Sequence, residues 1–325
     1  MQYNIFYRKN CYFCKNLIYS FSFIANLKIM NTIKKSIIEK GNSLGFPVIK
    51  FAKEELLTKE IEHLNTWLSL EYNAGMDYLQ RNIDKRESIK LLFDNIKTII
   101  VFAYPYPANV GFKGKLKISK DSVVPDYHKT IKEKLYTISE FLFNEFKINS
   151  KCFVDTAPIL EKQWAVRSGL GWQGKNSIII NPILGSYFNI GVMLIDVELE
   201  PDTQLENRCG TCQQCIDACP TSAIVSDKVI DCRQCIVKYT VSRSEEFPCF
   251  IKDAIKKAGY IYGCDICQDV CPHNKKRQTE EKIIYDIINK IEYMDENEFN
   301  NIFQHYKFIG KGYQRILEHI KIANA

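Results

Sequence analysis

The sequence contains no apolar run long enough to cross a membrane. The apolar segment at residues 17–27 has only 11 residues, whereas a membrane-spanning helix needs about 18 or more. No small-residue cleavage site follows it, so the chain has no complete secretory signal. The sequence also has no internal repeat of the length that builds a solenoid. We therefore expect no membrane association and a reducing cytoplasmic compartment, in which cysteines serve as ligands and not as disulfides.

Acidic residues are missing from the first 29 positions, which carry four basic residues and a Cys-x-x-Cys pair, Cys11 and Cys14. Three interpretations of this basic extension stay open. It is a targeting or membrane-surface segment, a metal or redox pair, or a stretch before the native start, with translation beginning at Met30. A single Cys-x-x-Cys with no second pair and no nearby histidine is weak evidence for a metal site. We expect a chain that begins at Met30 to fold.

The charge excess is small. The 325 residues include 44 basic and 38 acidic ones, a formal net charge of +6. Such an excess permits a polyanionic partner without requiring one. A chain of this length favours about two domains.

Helical and strand patterns alternate over residues 30–200, which is typical of a layered domain around a central sheet. A β-rich run at 97–107 predicts a buried strand, and an amphipathic pattern at 126–146 predicts a long helix. After Pro201 the composition changes to cysteine, glycine and short elements. The predicted class is α+β, in three parts after the basic extension: an N-terminal layered α/β domain at 30–200, a ferredoxin-like domain at 201–280 and a short helical tail at 281–325.

Most of the 13 cysteines fall in two related runs after residue 208. The first is Cys209-x2-Cys212-x2-Cys215-x3-Cys219-Pro, the run of bacterial ferredoxins, whose fourth cysteine ligates the other of two 4Fe–4S clusters. The second, Cys264-x2-Cys267-x3-Cys271-Pro, lacks one member, for which we choose Cys235 over its competitor Cys232. The predicted ligand sets are Cys209, Cys212, Cys215 and Cys271 for the first cluster, and Cys219, Cys235, Cys264 and Cys267 for the second.

Zinc is the alternative for these cysteines, because paired Cys-x2-Cys motifs also build tetrahedral zinc sites. The triple run closed by Cys-Pro is less typical of zinc and occurs twice in near-complete form, so we favour two 4Fe–4S clusters. Cys152 and Cys249 are expected to pack as small apolar side chains. Two adjacent clusters form a path for electrons, so residues 30–200 must hold a second redox centre or a substrate.

The segment GLGWQGKN at 169–176 contains G-x-G-x-x-G and is one residue short of a phosphate-binding loop. Both motifs need the order strand, loop, helix, because the phosphate binds backbone N–H groups at a helix N-terminus. Here the predicted order is helix, loop, strand, and Asn176 replaces the hydroxyl that would bind magnesium. We expect a glycine-rich connection and not a nucleotide site.

Four stretches together resemble epoxyqueuosine reductases: VDTAP at 154–158, AVRSGLGWQGKN at 165–176, CGTCQQCIDACPTSAI at 209–224 and YGCDICQDVCPHN at 262–274. The resemblance runs from about Met30 to the C-terminus. It implies an oxidoreductase, related to the reductive dehalogenases, that reduces epoxyqueuosine to queuosine at the wobble position of a tRNA. It also implies that the 30–200 domain binds cobalamin, and that electrons pass to its cobalt through the two clusters from an external low-potential donor.

No full D-x-H-x-x-G pattern is present to supply a histidine to cobalt, so we expect base-off cobalamin without a protein imidazole. We also expect a monomer. Two other functions stay open: a corrinoid iron–sulfur reductase of the dehalogenase type, and a ferredoxin-like electron carrier. Reductases of the dehalogenase type usually have an export signal and use a tyrosine as the catalytic acid. An electron carrier would not need the large domain at residues 30–200.

The resemblance implies that Asp155, in a strand predicted over 150–156, is the catalytic proton donor. Opening an epoxide leaves an alkoxide, which is a poor leaving group, and a positioned acid lowers that barrier. An aspartic acid serves at neutral pH only if burial raises its pKa, so we expect a raised pKa. The alternative for Asp155 is a helix N-cap before the helix predicted from Pro158.

The resemblance implies further contacts of the cofactor besides Asp155. These are Arg86, Ser119, Ile179, Ile190, Asp265 and Ile266. The stretch around Ser119, KISKDSVVPDYH, departs from the usual text of the family. Basic residues near the second cysteine run are candidates for contacts with tRNA phosphates, although each could equally be a solvated surface charge. They are Lys238, Arg243, Lys275, Lys276 and Arg277.

Overall fold

The computed structural model describes residues 12–242, 246–277 and 283–325, with side chains from residue 27 onward except at 283 and 284. Cys11, and with it the Cys-x-x-Cys pair, lies outside the described residues, as does Arg243. Within the described ranges, no helix is long and apolar enough to cross a membrane. The helices are α1 (Tyr12–Ser43), α2 (Thr58–Ser69), α3 (Ile83–Glu87), α4 (Tyr127–Phe146), α5 (Glu161–Arg167), α6 (Gln214–Asp217), α7 (Ile236–Val241), α8 (Cys249–Ala258), α9 (Ile266–Asp269), α10 (Glu296–Phe303) and α11 (Tyr313–Asn324). The strands are β1 (Val48–Lys53), β2 (Thr98–Pro105), β3 (Val110–Phe112), β4 (Lys117–Ile118), β5 (Ser150–Phe153), β6 (Trp172–Gln173), β7 (Ile179–Ile180), β8 (Phe188–Ile195), β9 (Ile224–Ser226), β10 (Val229–Ile230), β11 (Tyr260–Tyr262) and β12 (Ile283–Tyr285).

A four-stranded sheet in the order β1-β2-β8-β5 forms the centre of the first half of the chain. All of its neighbouring strands are antiparallel. Successive side chains of β2 point to opposite faces: Ile99 and Val101 pack towards α5, while Ile100 and Phe102 pack towards α1 and α4. The continuous apolar run at 97–107 therefore reflects a strand that is buried on both faces, and the predicted layered domain with a central sheet is confirmed.

Helix α4 covers one face of this sheet with a stripe of buried residues spaced by three and four positions, Ile131, Leu135, Ile138 and Leu142. Asp126 caps its N-terminus by accepting a hydrogen bond from the His128 backbone N–H at 3.0 Å. The cap fixes where α4 begins, and so places Tyr127 and His128 at the edge of the sheet, opposite the chain that leaves β5.

Strand β5 ends at Phe153, three residues before the predicted strand does. The backbone turns at Asp155, which has a φ of 53°, in the left-handed region that non-glycine residues rarely adopt. The Thr156 N–H donates to the Val154 carbonyl at 2.6 Å across this turn. The turn takes Asp155 out of the sheet and points the chain towards α5.

The helical tail packs into the rest of the protein and does not stand apart from it. Strand β12 pairs with β3, and β11 pairs with β4, both in parallel. One hydrophobic core contains Ile118, Ile255 and Tyr262 together with Phe299 and Ile316 from the tail. Segments on both sides of the expected boundary at Pro201 therefore share one core.

The GLGWQGKN segment has the predicted order of helix, loop and strand. Helix α5 ends at Arg167, and β6 and β7 then form an antiparallel pair around the second half of the segment. The Asn176 Nδ2 donates to the Cys267 carbonyl at 3.3 Å. The connection therefore holds the cysteine-rich part of the chain.

Candidate active site

The first group of cysteines surrounds a small cavity beside the glycine-rich connection. Its lining consists of Cys209, Cys212, Cys215 and Cys271, with Lys175, Asn176, Ile180, Pro272 and His273. Cys271 joins it from the second run because α6 and α9, which lie within the two runs, pack together. Burial raises the pKa of the Cys215 thiol, and the proximity of Cys271 and Cys209 raises it further.

Trp172 covers this first group of cysteines. Its ring packs with Cys209 and Cys271, and 2% of the residue is exposed. The buried Nε1 donor has no hydrogen-bond partner among the described residues. A buried donor without an acceptor is unfavourable, so this position favours an acceptor in the cavity.

The second group of cysteines consists of Cys219, Cys235, Cys264 and Cys267. Cys267 interacts electrostatically with Cys235 and Cys219, and Cys264 with Cys267 and Cys235. Burial raises the pKa of Cys267 to about 12, with Cys235 adding to the shift. In the described ranges, no three His, Cys, Asp or Glu side chains are arranged to hold a single metal ion.

Cys232 is placed differently from its competitor Cys235. It interacts with Cys235 and Lys162, and its thiol lies within electrostatic range of the Tyr78 hydroxyl. Burial raises its pKa to about 12. Cys235 interacts with Cys219, and both Cys264 and Cys267 interact with Cys235. The arrangement favours Cys235 as the ligand and leaves Cys232 beside the cleft described below.

Asp155 lies between the N-terminus of α4 and the start of α5. Its Oδ2 accepts a hydrogen bond from the Tyr127 hydroxyl and lies 3.5 Å from His128 Nε2. His128 Nδ1 lies 2.6 Å from Asp126 Oδ1, so the imidazole is held between two carboxylates. The His128 ring also stacks on Tyr127, with a centroid distance of 4.2 Å. The hydrogen bond to Asp155 raises the pKa of His128 despite its partial burial.

The expected raised pKa of Asp155 is wrong. Burial does raise the pKa of this carboxyl, but the hydrogen bonds from His128 and Tyr127, together with Glu161, outweigh burial and hold the pKa below its usual range. The raised carboxyl pKa belongs to Glu161, through burial first and then the charge of Asp155. The group therefore joins one carboxyl of lowered pKa, Asp155, to two neighbours of raised pKa, His128 and Glu161, and to the Tyr127 hydroxyl.

The alternative role of Asp155 as a helix cap is also wrong. Helix α5 begins at Glu161, its N-cap residue is Leu160, and no side chain caps it. Asp155 lies six positions earlier. Its carboxyl is therefore free of a capping role and is placed by the turn and by its neighbours on α4.

The Asp155 side chain is 48% exposed, and the region that it shares with Tyr78, Arg86, Lys162 and Cys232 is called the cleft below. The Tyr78 hydroxyl lies within electrostatic range of Cys232, Arg86 and Asp155. The Lys162 ammonium lies within range of Asp155, Cys232 and Cys267, and it donates to the Ser177 carbonyl at 3.1 Å. Lys162 thus lies between Asp155 and Cys267 of the second group of cysteines in the electrostatic sense that both act on its pKa.

Arg86 is buried at one side of this cleft, with 8% of the residue exposed. Its Nη2 donates to the Tyr78 carbonyl at 3.4 Å, while its Nε has no partner among the described residues. Burial lowers the pKa of this guanidinium. A buried cation without a carboxylate is costly, which favours a ligand oxygen beside it.

The other predicted cofactor residues are more enclosed. Ser119 is buried against Gly263, where a Cβ atom would lie 2.3 Å from the Ser119 Oγ, and the φ of Gly263 is 68°. Asp265 is 2% exposed, and its Oδ2 accepts the Lys120 N–H at 2.6 Å. Ile179 and Ile190 pack with the sheet core, and Ile266 begins α9.

The predicted phosphate-binding residues differ in their surroundings. Lys275 and Lys276 are exposed. The Lys238 Nζ donates to Ser242 Oγ at 3.0 Å. The Arg277 Nη2 donates to the Tyr106 carbonyl at 2.9 Å, which ties the end of the cysteine-rich segment to the residue that follows β2.

Three residues of the cleft have no sequence signal that marks them as functional: Tyr78, Glu161 and Lys162. Glu161 and Lys162 lie in an ordinary helix start, where an acidic residue is common for its effect on the helix dipole. Tyr78 lies in a short 3-10 turn, Asp77–Leu79, far from any motif. Only the fold brings them to Asp155.

Two family models match the chain. One, described as a 4Fe-4S double cluster binding domain, covers residues 208–274. The other, described as Epoxyqueuosine reductase QueG, DUF1730, covers residues 86–156. The first range includes all eight predicted cluster cysteines, and it favours iron–sulfur clusters over zinc. The second includes Arg86 and Asp155.

Known relatives match over most of the chain. The epoxyqueuosine reductase of Cyclobacterium marinum is 35% identical over 308 residues, covering 90% of this chain and 99% of the relative. A crystal structure of epoxyqueuosine reductase with an epoxyqueuosine-modified tRNA-Tyr stem loop matches with a TM-score of 0.78 and 28% identity, over 90% of this chain and 81% of that one. The Bacillus subtilis enzyme, solved with its catalytic aspartate loop swung out of the active site, matches with a TM-score of 0.79 and 27% identity over the same shares.

Proposed function

We propose, because the chain belongs to the epoxyqueuosine reductase family, that it reduces epoxyqueuosine to queuosine in tRNA. The observation that carries the proposal is that Lys162 lies within electrostatic range of both Asp155 and Cys267 of the second group of cysteines. Converting an epoxide to an alkene consumes electrons and protons in equal number and releases the oxygen as water. The cleft brings a proton-bearing group and an electron-bearing group to one place, which is what this reaction requires.

We propose that the two groups of cysteines each hold a 4Fe–4S cluster with the ligand sets predicted from the sequence. The interleaving of the two runs supports this, because Cys271 lies with Cys209, Cys212 and Cys215. The Trp172 Nε1 also fits, since a cluster sulfur would provide the acceptor that this donor lacks. The thiols must lose their protons on ligation, and the charge of the bound iron lowers their pKa values enough for that.

Electrons would enter at the first cluster and leave from the second. Gly210 and Thr211, beside the first group, are exposed, so an external low-potential donor can approach there. The second group adjoins the cleft through Lys162. This order places the end of the electron path next to the substrate.

The cleft fits the cobalamin that the family resemblance implies. The unpartnered Nε of Arg86 would bind an amide or phosphate oxygen of the cofactor, and Tyr78 and Cys232 would line its edge. Bound cobalamin would supply a cobalt centre able to transfer electrons from the clusters to the epoxide carbon. Both ring nitrogens of His128 face carboxylates, which supports base-off binding without an imidazole from this segment.

Asp155 would deliver a proton to the epoxide oxygen. Its carboxylate can receive that proton from His128, whose ring nitrogen is 3.5 Å away and whose pKa is raised. Asp126 stabilises the imidazolium from the other side. A proton donor need not hold its proton at rest if a neighbour of suitable pKa supplies it during the reaction.

The tRNA would approach over the basic residues near the second cysteine run. Lys275 and Lys276 are exposed and can contact phosphates directly. Arg277 would hold the segment that presents them, because it is bonded to the Tyr106 carbonyl. Lys238 and Arg243 are further proposed contacts.

The test is a direct assay of the modified nucleoside. Anaerobically reconstituted protein is mixed with tRNA that carries epoxyqueuosine, cobalamin and a low-potential reductant, and the digested nucleosides are separated by mass. Queuosine should form in proportion to enzyme and only when cobalamin is present. If epoxyqueuosine stays unchanged while both clusters are reduced, the proposed function is wrong.

A further inference from the structure

The turn at Asp155 has no regular secondary structure to hold it. The residue is exposed, its φ of 53° is unfavourable for a side chain, and residues 154–158 belong to no helix or strand. A backbone in this state returns to a more common conformation unless its surroundings fix it. Whatever fixes the turn therefore decides whether the Asp155 carboxyl stays beside Tyr127 and His128.

Glu161 supplies that fixation. Its Oε1 accepts the Asp155 backbone N–H at 2.7 Å. The contact joins the centre of the turn to the first residue of α5, which is anchored in the core by Trp164 and Ala165. Among the described residues, no lysine or arginine forms an ion pair with Glu161, since the adjacent Lys162 donates to the Ser177 carbonyl instead.

The two carboxyls also interact directly through a side-chain hydrogen bond, which requires a proton on one of them. The pKa of Glu161 is raised and that of Asp155 is lowered, so this proton belongs to Glu161. One Glu161 oxygen then accepts from the Asp155 backbone while the carboxyl proton is available to the Asp155 side chain.

We propose that Glu161 is a positioning residue that latches the Asp155 turn into the active site. The role rests on the proposed function for its consequence in catalysis, but the latch itself is a property of the fold. The Bacillus subtilis relative was solved with its catalytic aspartate loop swung out of the active site. If the Asp155 turn has the same freedom, the hydrogen bond from the Asp155 N–H to Glu161 must break when it opens, as must the bond from the Tyr127 hydroxyl.

Hydrogen exchange of the Asp155 amide tests the latch without any activity measurement. In Glu161→Ala the acceptor is gone, and exchange of this amide should become at least about tenfold faster in the protein with both clusters. In Glu161→Gln the amide oxygen still accepts the same hydrogen bond, so exchange should stay close to that of the unchanged protein. Glu145→Ala, an exposed glutamate on α4, is the matched control. Equal exchange in Glu161→Ala and the control would overturn the proposal.

Activity then separates positioning from chemistry. Glu161→Ala should lower kcat by about 10-fold to 100-fold with a smaller change in KM, because Asp155 is in place for only part of the time. Glu161→Gln should recover most of this loss, which a role of Glu161 as the reacting acid would not allow. Should Glu161→Ala fail to fold, Glu161→Asp, whose shorter side chain cannot span the 2.7 Å contact, replaces it in both measurements. If hydrogen exchange shows the latch but neither the unchanged protein nor any variant forms queuosine, the proposed function is wrong and the latch is still supported.

Discussion

Replacing Asp155 by asparagine tests the proposed chemistry most directly, because the change preserves the shape of the side chain and removes its ability to carry the proton. The asparagine oxygen can still accept from the Tyr127 hydroxyl. The hydrogen bond between His128 and the charged carboxylate is lost, however. That bond is the largest cause of the raised pKa of His128. The substitution therefore removes the carboxyl that would carry the proton. It also removes the contact that raises the pKa of His128, the group that would supply this proton.

The expected loss can be bounded. A positioned general acid is worth about 100-fold to 10,000-fold in rate, and each factor of ten corresponds to about 1.4 kcal/mol, so the barrier should rise by about 3 to 5.5 kcal/mol. The structural cost should be smaller, because the side chain is 48% exposed and asparagine keeps part of its hydrogen bonding. Activity should thus fall far more than stability does.

The assay follows queuosine formation in tRNA by mass, with iron content, visible spectrum and cobalamin binding measured on the same samples. The control is Asp196→Asn, which changes an aspartate directly after β8 that accepts a hydrogen bond from Asn149, the residue before β5. A second observable is the titration of His128 by NMR, whose pKa should fall in Asp155→Asn. Activity of Asp155→Asn within about threefold of the unchanged protein, with clusters and cobalamin intact, would remove Asp155 from the mechanism.

Three further predictions concern the clusters, the N-terminus and the tail. Cys271→Ser should abolish the first cluster and so lower the iron content from about eight to about four atoms per chain. Cys232→Ser should leave the iron content unchanged. A loss of iron in this second variant would show that Cys232, and not Cys235, is the ligand. A chain that begins at Met30 should bind both clusters and keep its activity, and insolubility of that chain would show that the extension is needed. Burial lowers the pKa of His319 to about 4, below its value of about 6.5 in an unfolded chain. The unfolded chain therefore binds a proton at His319 more readily than the folded protein does. The contribution of neutral His319 to stability is fully present above pH 6.5 and is lost as the pH falls towards 4. His319→Gln, which can still donate to the Ile261 carbonyl, should show a smaller drop in Tm between pH 7 and pH 5, and an equal drop would contradict this reasoning.

The main elements were predictable because each has a regular pattern of burial. Helix α4 buries Ile131, Leu135 and Ile138 on one side, and this spacing is visible in the sequence. The predicted strand at 150–156 was too long because nothing in VDT marks a turn. Left-handed backbone is usually signalled by glycine or asparagine, and here it is adopted by Asp155.

The packing of the tail could not be predicted for a different reason. Strands β3 and β4 have three and two residues, and their partners lie more than 140 positions later in the chain. Such short strands have little pattern of their own, and their pairing is decided by the core that forms around them. Ile118 and Ile316 meet in that core without any local sequence feature that relates them.

The protonation of the active site shows why burial alone was an insufficient guide. A buried aspartate was expected to have a raised pKa, and burial does act in that direction on Asp155. Three neighbours reverse the outcome: Tyr127 and His128, which begin α4, and Glu161, which begins α5. Each lies in an unremarkable helix start, and the fold brings them together only because β5 ends early and the chain turns at Asp155. The carboxyl with the raised pKa is then Glu161, where burial and the charge of Asp155 outweigh the hydrogen bond from the Asp155 N–H. Sequence similarity can therefore propose a reacting aspartate, but which member of the group holds the proton depends on contacts among three separate segments.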